Sequence, residues 1–494
     1  MSKVLIIGSG IGGLLAGNLL ARKGHQVTIF ESHSAPGGYI GGFWRKGFYF
    51  ESGTLSFESS KMVFGAMKDL GLWEKINFTR LYTRWVNKEF DGSMKSYGEF
   101  KAQLISAYPE EEANLKRYFA EVDRLYYATL PFIKSEDKPL LRLIPQLIAA
   151  GFQMARLSRK YAKVNLSDFT AKFFTPGSKL ERFFSIIGYP KMATTILGGA
   201  YASLFEDYWA VSDGMQSWAD LLSANFQKLG GELKLNSYVN RIITHSGKAI
   251  GVSCRKTVYA ADYVIAAGDY KKTFLRLLDD RTALPADFLT RVEQTAVSEG
   301  NATAYLGLSM SNEELRTYLK LPHVCYFEDH PGAEVSDPQD REYFEKCGVT
   351  IYSLSLQNPK LAPEGKSSLM ILAFAPTGWQ DNWGDGDWER YRQLKAEVLE
   401  ALIDKAGEII PHLRDRIEFS DLATPLTYER YTHNTGGASS AWSWNPENRF
   451  YKSLLKSYVD TPIKNLYIGS CWAMQIGGIP GAISAAYNCA KRIK

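Results

Sequence analysis

The chain has 494 residues, a net charge of +5, 45% hydrophobic residues and 22% charged residues. Two domains are predicted from this length, and the composition is that of an ordered globular protein. The mild positive charge forms no dense Lys/Arg cluster, which excludes nucleic acid as the expected partner. Aromatic residues make up 13% of the chain. They suit either a cavity for a long apolar ligand or a large core, and composition alone leaves both open.

The five cysteines are odd in number and form no CxxC pair or zinc-type spacing. We therefore expect free thiols in a reducing compartment and no metal site. No run reaches the roughly 20 apolar residues that a membrane span needs. The expected location is the cytoplasm, with peripheral attachment to a membrane as an open alternative.

The first 31 residues carry the pattern of a dinucleotide-binding unit. Residues 4–7 are a short apolar run typical of a strand buried on both faces. Gly8, Gly10 and Gly13 follow as GxGxxG, which predicts a tight turn, close approach of a pyrophosphate, and close packing of the next helix. That helix is predicted over residues 12–23.

A second strand is predicted over residues 26–30 and ends at Glu31, 18 residues after Gly13. A carboxylate at this position accepts hydrogen bonds from the adenosine ribose. The helix amides, including those of Ile11 and Gly12, are expected to face the pyrophosphate. No Arg for a 2′-phosphate lies nearby, so NADP is disfavoured, while NAD and FAD both remain open from this segment.

A second glycine pair follows the acid. After Glu31 and Ser32 come Gly37-Gly38 and a hairpin that ends at Gly53. This arrangement resembles the second fingerprint of the flavoproteins that include phytoene desaturases, carotenoid isomerases, retinol saturases and amine oxidases. The resemblance selects FAD. It implies pyrophosphate contacts at the glycine pair and backbone against the flavin ring at Gly53.

Two positions depart from that fingerprint. Tyr39 follows the glycine pair where many members have Arg, which is typical of the isomerase and saturase branch and removes one positive charge near the phosphates. Glu51 stands where the usual residue is Asp.

A second matching block lies in the middle of the chain. Residues 213–222 resemble the family's Gly-Gly-Met helix start. By the same resemblance, Val239 brackets the adenine through its backbone. The strand and turn that end at Ala267 and Gly268 return beneath the cofactor.

A third block covers residues 461–486, where a strand and glycine turn lead into Gly-Gly-Ile-Pro-Gly. The resemblance implies that the helix after this motif points its N terminus at the flavin pyrimidine. Its ending is more similar to carotenoid desaturases and isomerases than to amine oxidases. The cofactor-binding residues implied here are Gly469, Ser470, Gly478, Ile479 and Ala482. Cys471 is the one thiol expected near the flavin.

We predict an α/β fold, α+β overall, in which a Rossmann-like FAD-binding domain with GxGxxG is interleaved with a mixed-sheet and helical substrate domain. The FAD-binding domain is predicted to comprise residues 1–75, 212–272 and 426–494. The substrate domain is predicted to comprise residues 76–211 and 273–425.

The substrate domain contains an apolar and basic stretch over residues 138–163. It suits a helix lying in a bilayer interface or a helix packed on the core, and both readings stay open. Trp442 and Trp444 suit either the wall of a polyene tunnel or the core. The candidate catalytic residues, expected in a loop leading to the flavin, are Tyr428, Arg430 and His433.

The resemblance implies an FAD enzyme that dehydrogenates, saturates or cis–trans isomerises an isoprenoid polyene by hydride exchange at flavin N5. Only one GxGxxG occurs, so a quinone or oxygen is the expected electron partner rather than NAD(P)H. Two alternatives stay open: an amine oxidase-like flavoenzyme on a smaller substrate, and a non-catalytic prenyl-binding protein of the GDI kind.

Overall fold

The computed structural model describes residues 1–133, 140–185, 187–189, 191–327, 337–448, 450 and 456–494. The strands are β1 Lys3–Ile7, β2 Gln26–Phe30, β3 Gly42–Arg45, β4 Phe48–Glu51, β5 Phe78–Arg80, β6 Thr83–Val86, β7 Asp91–Met94, β8 Trp209–Val211, β9 Glu232–Lys234, β10 Val239–His245, β11 Lys248–Cys254, β12 Thr257–Ala260, β13 Tyr263–Ala266, β14 Gly300–Leu308, β15 His323–Tyr326, β16 Val349–Tyr352, β17 Ser367–Ala375, β18 Ile417–Ala423 and β19 Leu466–Ile468.

The helices are α1 Ile11–Arg22, α2 Ser60–Asp69, α3 Tyr97–Ala107, α4 Glu112–Ile133, α5 Leu140–Tyr161, α6 Leu166–Thr170, α7 Lys179–Ser185, α8 Thr194–Glu206, α9 Met215–Lys228, α10 Tyr270–Lys272, α11 Ala286–Gln294, α12 Asn312–Leu319, α13 Tyr343–Lys346, α14 Trp379–Gly384, α15 Trp388–Gly407, α16 Pro425–Thr432 and α17 Gly478–Arg492. Of these, α14 is a left-handed turn, with φ between 47° and 64° from Gln380 to Trp383.

A parallel five-stranded sheet has the order β19-β13-β1-β2-β9. β1 lies at its centre, and Val4, Leu5 and Ile6 are fully buried. The three-stranded antiparallel sheet β10-β11-β12 packs against this sheet through β11 and β13. α1 packs against α9 and α17. The crossover from β1 through α1 to the parallel strand β2 is the unit that the GxGxxG pattern predicts, and the predicted Rossmann-like α/β fold is confirmed.

A second, mixed sheet has seven strands in the order β18-β14-β17-β16-β15-β6-β7. Only β15 and β6 run parallel, and the other neighbours are antiparallel. α15 covers one face, and the β3–β4 hairpin packs against the sheet through an apolar cluster that includes Phe48, Tyr305 and Met370. The short pair β5–β8 joins residues 78–80 to residues 209–211, next to two of the predicted domain boundaries. The division into domains stays a prediction.

Helices α3 to α8 form a layer whose core is largely aromatic. α4 and α8 cross so closely that a Cβ on Gly198 would lie 2.3 Å from the backbone of Leu125. Much of the aromatic content is thus used for packing rather than for a cavity wall. Buried aromatic residues in this core include Tyr97, Phe100, Tyr118, Phe119, Phe169, Phe184, Tyr201 and Phe205.

The stretch over residues 138–163 forms α5, and its first two residues lie outside the described ones. Leu157 and Tyr161 are buried, so one side of α5 packs on the core. The opposite side exposes Ile144 by 41%, Ile148 by 54% and Phe152 by 76%. In the described ranges, no helix is both long and apolar enough to cross a bilayer.

Candidate active site

The turn after β1 depends on three glycines, and their packing is visible. Gly8 has a φ of 99°, and its amide donates to the Phe30 carbonyl at 2.8 Å. A Cβ on Gly12 would lie 2.1 Å from the Gly469 oxygen, and a Cβ on Gly13 would lie 2.0 Å from the Gly8 oxygen. Only glycine therefore lets α1 approach the sheet and the turn after β19 this closely.

Gly10 has a different environment. Its φ is −66°, which any residue adopts. Among the residues that the structure describes, the atom nearest to an added Cβ would be the Gly37 oxygen at 3.9 Å. The fold itself thus has no need of glycine at this position. Gly10 is also the N-cap of α1 and supplies no side-chain cap, so the first helix amides, beginning with Ile11, are left for another acceptor. A pyrophosphate fits this space and these donors.

Glu31 lies beside the same turn at the end of β2 and is 8% exposed. One carboxylate oxygen accepts from the Ser9 amide at 2.8 Å and the Ser9 hydroxyl at 2.7 Å. The other accepts from the His33 amide at 2.9 Å and the Ser32 hydroxyl at 3.1 Å. These donors orient the acid toward the adenosine end of the unit. Ser9 was missed by sequence reasoning, and its only signal is its place inside the glycine turn.

The second glycine pair packs on the first turn. Gly37 and Gly38 have φ values of 132° and 57°, and the Gly37 amide donates to the Ser9 carbonyl at 3.0 Å. A Cβ on Gly38 would lie 3.4 Å from the Gly10 Cα. The two glycine turns therefore form one continuous backbone surface.

The hairpin is tied to α9 by Glu51, the residue that replaces the usual Asp. Its carboxyl accepts from the Met215 amide at 3.0 and 3.2 Å and from the Tyr49 hydroxyl at 3.0 Å. Burial raises the pKa of Glu51 to about 8. Gly53 follows, and a Cβ there would lie 2.6 Å from the Tyr39 carbonyl oxygen, so the backbone after the hairpin is closely packed.

The third block joins the first beneath α1. The Ala267 amide donates to the carbonyl of Ile7, the last residue of β1, at 2.8 Å. The Gly469 amide donates to the Ala266 carbonyl, also at 2.8 Å. The Ser470 hydroxyl donates to the Gly268 carbonyl at 2.7 Å. No described protein atom lies within 4 Å of an added Cβ on Gly268, so this turn faces open space.

The start of α17 faces the same region. Gly477 and Gly478 have φ values of 59° and 48°, and Ile479 is 8% exposed. Pro480 lacks an amide hydrogen, so the amides of Gly478 and Ile479 are the first donors of this helix. The Ala482 carbonyl oxygen lies 3.5 Å from an added Cβ on Gly12, which places α17 beside α1.

Val239 begins β10 and is 3% exposed.

Glycine backbone, two helix N termini and an acid at the end of β2 come together from all three sequence blocks. This donor set, with the space beside Gly10 and Gly268, fits FAD.

A cavity of about 2390 Å³ opens from this region into the rest of the molecule. Gly53, Gly478 and Ile479 line one end, and Phe132 of α4 and Met154 of α5 line another part. Most small-molecule sites measure roughly 300–1,000 Å³. The cavity therefore has room for a ligand much longer than a typical metabolite.

Several polar side chains that sequence reasoning missed line this cavity. Glu58 lies near the start of α17, and burial raises its pKa to about 7. His323 is fully buried, its Nδ1 lies 2.9 Å from the Thr83 hydroxyl, and burial lowers its pKa to about 4, so it is neutral at pH 7. Further polar lining residues are Tyr189, Tyr208 and Glu299. These residues follow no recognisable motif, and the fold alone brings them together.

The candidate catalytic residues are placed differently from the prediction. Tyr428 and Arg430 lie in helix α16 rather than in a loop, and His433 is its C-cap. The Tyr428 hydroxyl lies 2.7 Å from the Thr303 hydroxyl, and its ring stacks on Tyr39 at 5.9 Å. Tyr428, Arg430 and His433 are absent from the described cavity lining. Their role as catalytic residues stays a prediction.

His433 instead lies near the adenosine end. Its ring centroid lies 5.2 Å from that of Tyr238, and its pKa is lowered chiefly by burial, with Glu31 among the groups that oppose the shift.

Trp442 and Trp444 have different environments. Trp442 is fully buried, stacks on Phe450 at 4.1 Å and donates to the Trp472 carbonyl at 3.0 Å. Trp444 lines the cavity and stacks on Tyr189 at 5.4 Å. Burial raises the pKa of Cys471 to about 12, so this thiol stays protonated and unreactive at pH 7.

The pattern of the flavin containing amine oxidoreductase family matches residues 11–494. All-trans-retinol 13,14-reductase of Danio rerio is 25% identical over 98% of this chain and 84% of that protein. 1-Hydroxycarotenoid 3,4-desaturase of Flavobacterium sp. is 23% identical over 98% of each chain. Prolycopene isomerase of Daucus carota is 23% identical over 99% of this chain and 79% of that protein.

Solved structures agree on the fold. Wild-type putrescine oxidase bound to putrescine has a TM-score of 0.66 at 14% identity, covering 100% of this chain and 98% of that one. An oxidoreductase from Methanosarcina mazei has a TM-score of 0.63 at 15% identity, covering 98% and 100%. The family match spans nearly the whole chain, and the resemblance stated from the glycine motifs is confirmed. The chain belongs to the flavin containing amine oxidoreductase family and is an FAD-dependent oxidoreductase.

Proposed function

We propose that the protein acts on a long apolar isoprenoid polyene, of the carotenoid or retinoid class, by desaturation, saturation or cis–trans isomerisation. The observation that carries the proposal is the cavity of about 2390 Å³, which extends from the start of α17 to helices α4 and α5. The relatives named above act, by their names, on retinol, a hydroxycarotenoid and prolycopene, which supports the same substrate class.

The proposed cofactor contacts follow the three sequence blocks. Glu31, Ser32 and Val239 would hold the adenosine end. The pyrophosphate would lie on the turns that contain Gly8, Gly10, Ile11, Gly12, Gly13, Gly37 and Gly38. The flavin end would lie against Gly53, Ala267, Gly268, Gly469, Ser470, Gly478, Ile479 and Ala482.

When bound, FAD supplies a hydride acceptor or donor at N5. The protein's own contribution is positioning and electrostatics. The N terminus of α17 carries a partial positive charge that stabilises negative charge nearby. The apolar parts of the cavity wall hold the chain of the substrate and exclude water from the reacting carbons.

We further propose the domain division given above, with residues 1–75, 212–272 and 426–494 around the cofactor. All strands of the parallel sheet fall in these ranges, and all strands of the mixed sheet fall in residues 76–211 and 273–425.

The proposed location is the cytoplasmic face of a membrane, with α5 lying in the bilayer interface. Its exposed apolar residues Ile144, Ile148 and Phe152 stand beside exposed Arg156 and Arg159, which is the composition of an interfacial helix. Gly151, Met154 and Ala155 of the same helix line the cavity. An apolar substrate would thus enter from lipid without crossing water.

Vesicle flotation tests this location with purified protein and liposomes containing anionic phosphatidylglycerol. Exchanging both Ile148 and Phe152 for Ser should reduce the bound fraction several-fold. Trp388→Ser is the matched control, because Trp388 is 62% exposed on the distant helix α15 and should have no effect. Equal binding of all three proteins would disprove the role of α5.

The substrate is tested with purified holoprotein and carotenoid or retinoid polyenes in detergent, followed by flavin absorbance and product mass spectrometry. A quinone or oxygen, the proposed electron partner, is supplied in separate arms. Peroxide release with amines, without any polyene product, would favour the amine oxidase-like alternative. A purified protein without flavin absorbance, even after FAD is added, would favour the prenyl-binding alternative.

A further inference from the structure

Glu58 lies in the cavity wall where the cofactor end meets the substrate space. One of its carboxyl oxygens lies 3.8 Å from the position of an added Cβ on Gly478, the first residue of α17. Glu58 itself stands between the hairpin and α2, five residues after Gly53. Both glycines and Glu58 line the same cavity. The carboxyl therefore lies beside the start of α17, in the wall of the cavity.

The surroundings of Glu58 provide no counter-charge. In the part of the chain that the structure describes, no cation forms an ion pair with it, and its recorded hydrogen bond comes from its own amide. The acidic group that acts on it is Asp207, whose carboxylate accepts from the Ser60 amide at 2.8 Å. Tyr189 and Tyr208 face it as neutral phenols. Lys61 lines the cavity but is exposed.

A carboxyl in this setting exchanges protons at neutral pH. Burial and Asp207 raise its pKa to about 7, while the positive N terminus of α17 favours the charged form. Neither the charged nor the neutral form of the Glu58 carboxyl is strongly disfavoured at neutral pH, which is the condition for an efficient general acid or base. A carboxyl held only for structure would be paired or hydrogen-bonded by neighbouring groups, as Glu51 is.

We propose that the Glu58 carboxyl exchanges the proton of the reaction that takes place in this cavity. The proposal rests on the polyene function proposed above. In a desaturation, one C–H bond breaks and its hydride passes to FAD with two electrons. The C–H bond on the adjacent carbon breaks next, its electron pair forms the new C=C bond, and its proton passes to the Glu58 carboxylate.

Saturation is the reverse. Protonated Glu58 gives its proton to one carbon of the C=C bond, and a hydride from reduced FAD reaches the other. In an isomerisation, hydride exchange at N5 would form and then remove a C–H bond on one carbon, while Glu58 gives a proton to the adjacent carbon and takes it back after rotation about the resulting single bond. No net electrons are exchanged in that case, and Glu58 returns to its first state.

The test uses the holoprotein with Glu58→Gln and a matched control, Glu206→Gln. Glu206 is a partly buried acid that accepts a hydrogen bond from the Tyr126 hydroxyl at 2.9 Å and is absent from the described cavity lining. The first measurement is the midpoint potential of the flavin as a function of pH, which needs no substrate. The curves of the wild type and Glu206→Gln should coincide, and the curve of Glu58→Gln should depart from them near pH 7, because one group that exchanges a proton is lost.

The second measurement is the rate of flavin reduction or oxidation by a polyene across the same pH range. Glu58→Gln should lose about 100-fold or more in rate, together with the pH dependence, since general acid–base catalysis contributes at least that factor. If Glu58→Gln fails to fold, Glu58→Asp decides: a curve shifted from that of the wild type supports the proposal, and a coincident curve overturns it.

A curve of Glu58→Gln that coincides with that of the wild type overturns the proposal. If no polyene reacts with any variant, the proposed function fails. The potential still reports whether Glu58 exchanges a proton linked to the flavin, so the two failures can be told apart.

Discussion

Gly10→Ala and Gly13→Ala are expected to separate the glycine that a cofactor needs from the glycine that the fold needs. A Cβ on Gly13 would lie 2.0 Å from the Gly8 oxygen, whereas the nearest described protein atom to a Cβ on Gly10 would be 3.9 Å away. The two substitutions are chemically identical and lie three residues apart. They should nevertheless have opposite effects on the apoprotein.

The magnitudes follow from these distances. Since real contacts of a Cβ are not shorter than 3.0 Å, Gly13→Ala must move α1 by about 1 Å, and overpacking of this kind costs about 1–3 kcal/mol or more. Gly10→Ala keeps an allowed φ and restricts the unfolded chain, which stabilises the apoprotein by about 0.4–1 kcal/mol. Its methyl group would fill the space proposed for the pyrophosphate. Losing one charge-assisted hydrogen bond there costs about 1.5–3 kcal/mol, or roughly 10–150-fold in the Kd for FAD.

Urea unfolding of apoprotein and a fluorescence titration with FAD measure the two quantities separately. Gly65→Ala is the matched control, because Gly65 lies in α2 with no described protein atom within 4 Å of an added Cβ. It should stabilise the protein by about 1 kcal/mol and leave the Kd unchanged. An unchanged Kd for Gly10→Ala would refute the proposed pyrophosphate position. Wild-type stability of Gly13→Ala would refute the packing argument.

Three further predictions concern stability. The pKa of His323 is about 4 in the folded protein, below its unfolded value. Neutral His323 therefore makes its full contribution to the free energy of unfolding above pH 6.5, and that contribution falls by about 2 kcal/mol at pH 5. Urea unfolding should show this loss of stability in the wild type and not in His323→Asn. Gly198→Ala should cost at least about 1–3 kcal/mol by urea unfolding, because its Cβ would meet the backbone of α4 at 2.3 Å. Gly199→Ala, whose Cβ would lie 3.6 Å from its nearest described neighbour, should stabilise the protein. Equal effects of Gly198→Ala and Gly199→Ala would contradict the packing described for α4 and α8. Glu51 has a pKa of about 8, so Glu51→Gln should change the free energy of unfolding by less than about 1 kcal/mol at pH 7. Glu51→Ala should cost about 2 kcal/mol, because it leaves buried donors unpaired; a larger loss in the Gln variant would show that the carboxyl is ionised.

The dinucleotide unit was predictable because its signals are local. The helix expected over residues 12–23 is Ile11–Arg22, and the strand expected over residues 26–30 is Gln26–Phe30. Apolar runs, glycines and the terminal acid all act within one turn or strand of their own position, so the sequence carries them without knowledge of the fold. The assignment to the flavoprotein group needed the second and third glycine blocks, which are also local motifs.

The cavity wall could not be predicted in the same way. Glu58, Tyr189 and His323 come from elements far apart in the chain, and no spacing links them. The helix α16 was missed for a different reason. Thr424 caps it and Pro425 occupies its first turn, a start signal that the sequence did contain. The basic and apolar stretch of α5 packs one side on the core and exposes apolar residues on the other, and its place in a bilayer interface stays a proposal.

The interleaving of the parallel sheet has a consequence for synthesis. β1 ends at Ile7, but its neighbour β13 begins at Tyr263 and β13 pairs in turn with β19 at residues 466–468. During translation the edge of β1 that pairs with β13 therefore stays unpaired until more than half of the chain has been synthesised. Unpaired strand edges of this kind are prone to aggregation. Slow translation without a chaperone should lower the yield of folded protein. A variant ending before residue 466 should lack one strand of the sheet and the helix α17, and it should neither fold fully nor retain FAD.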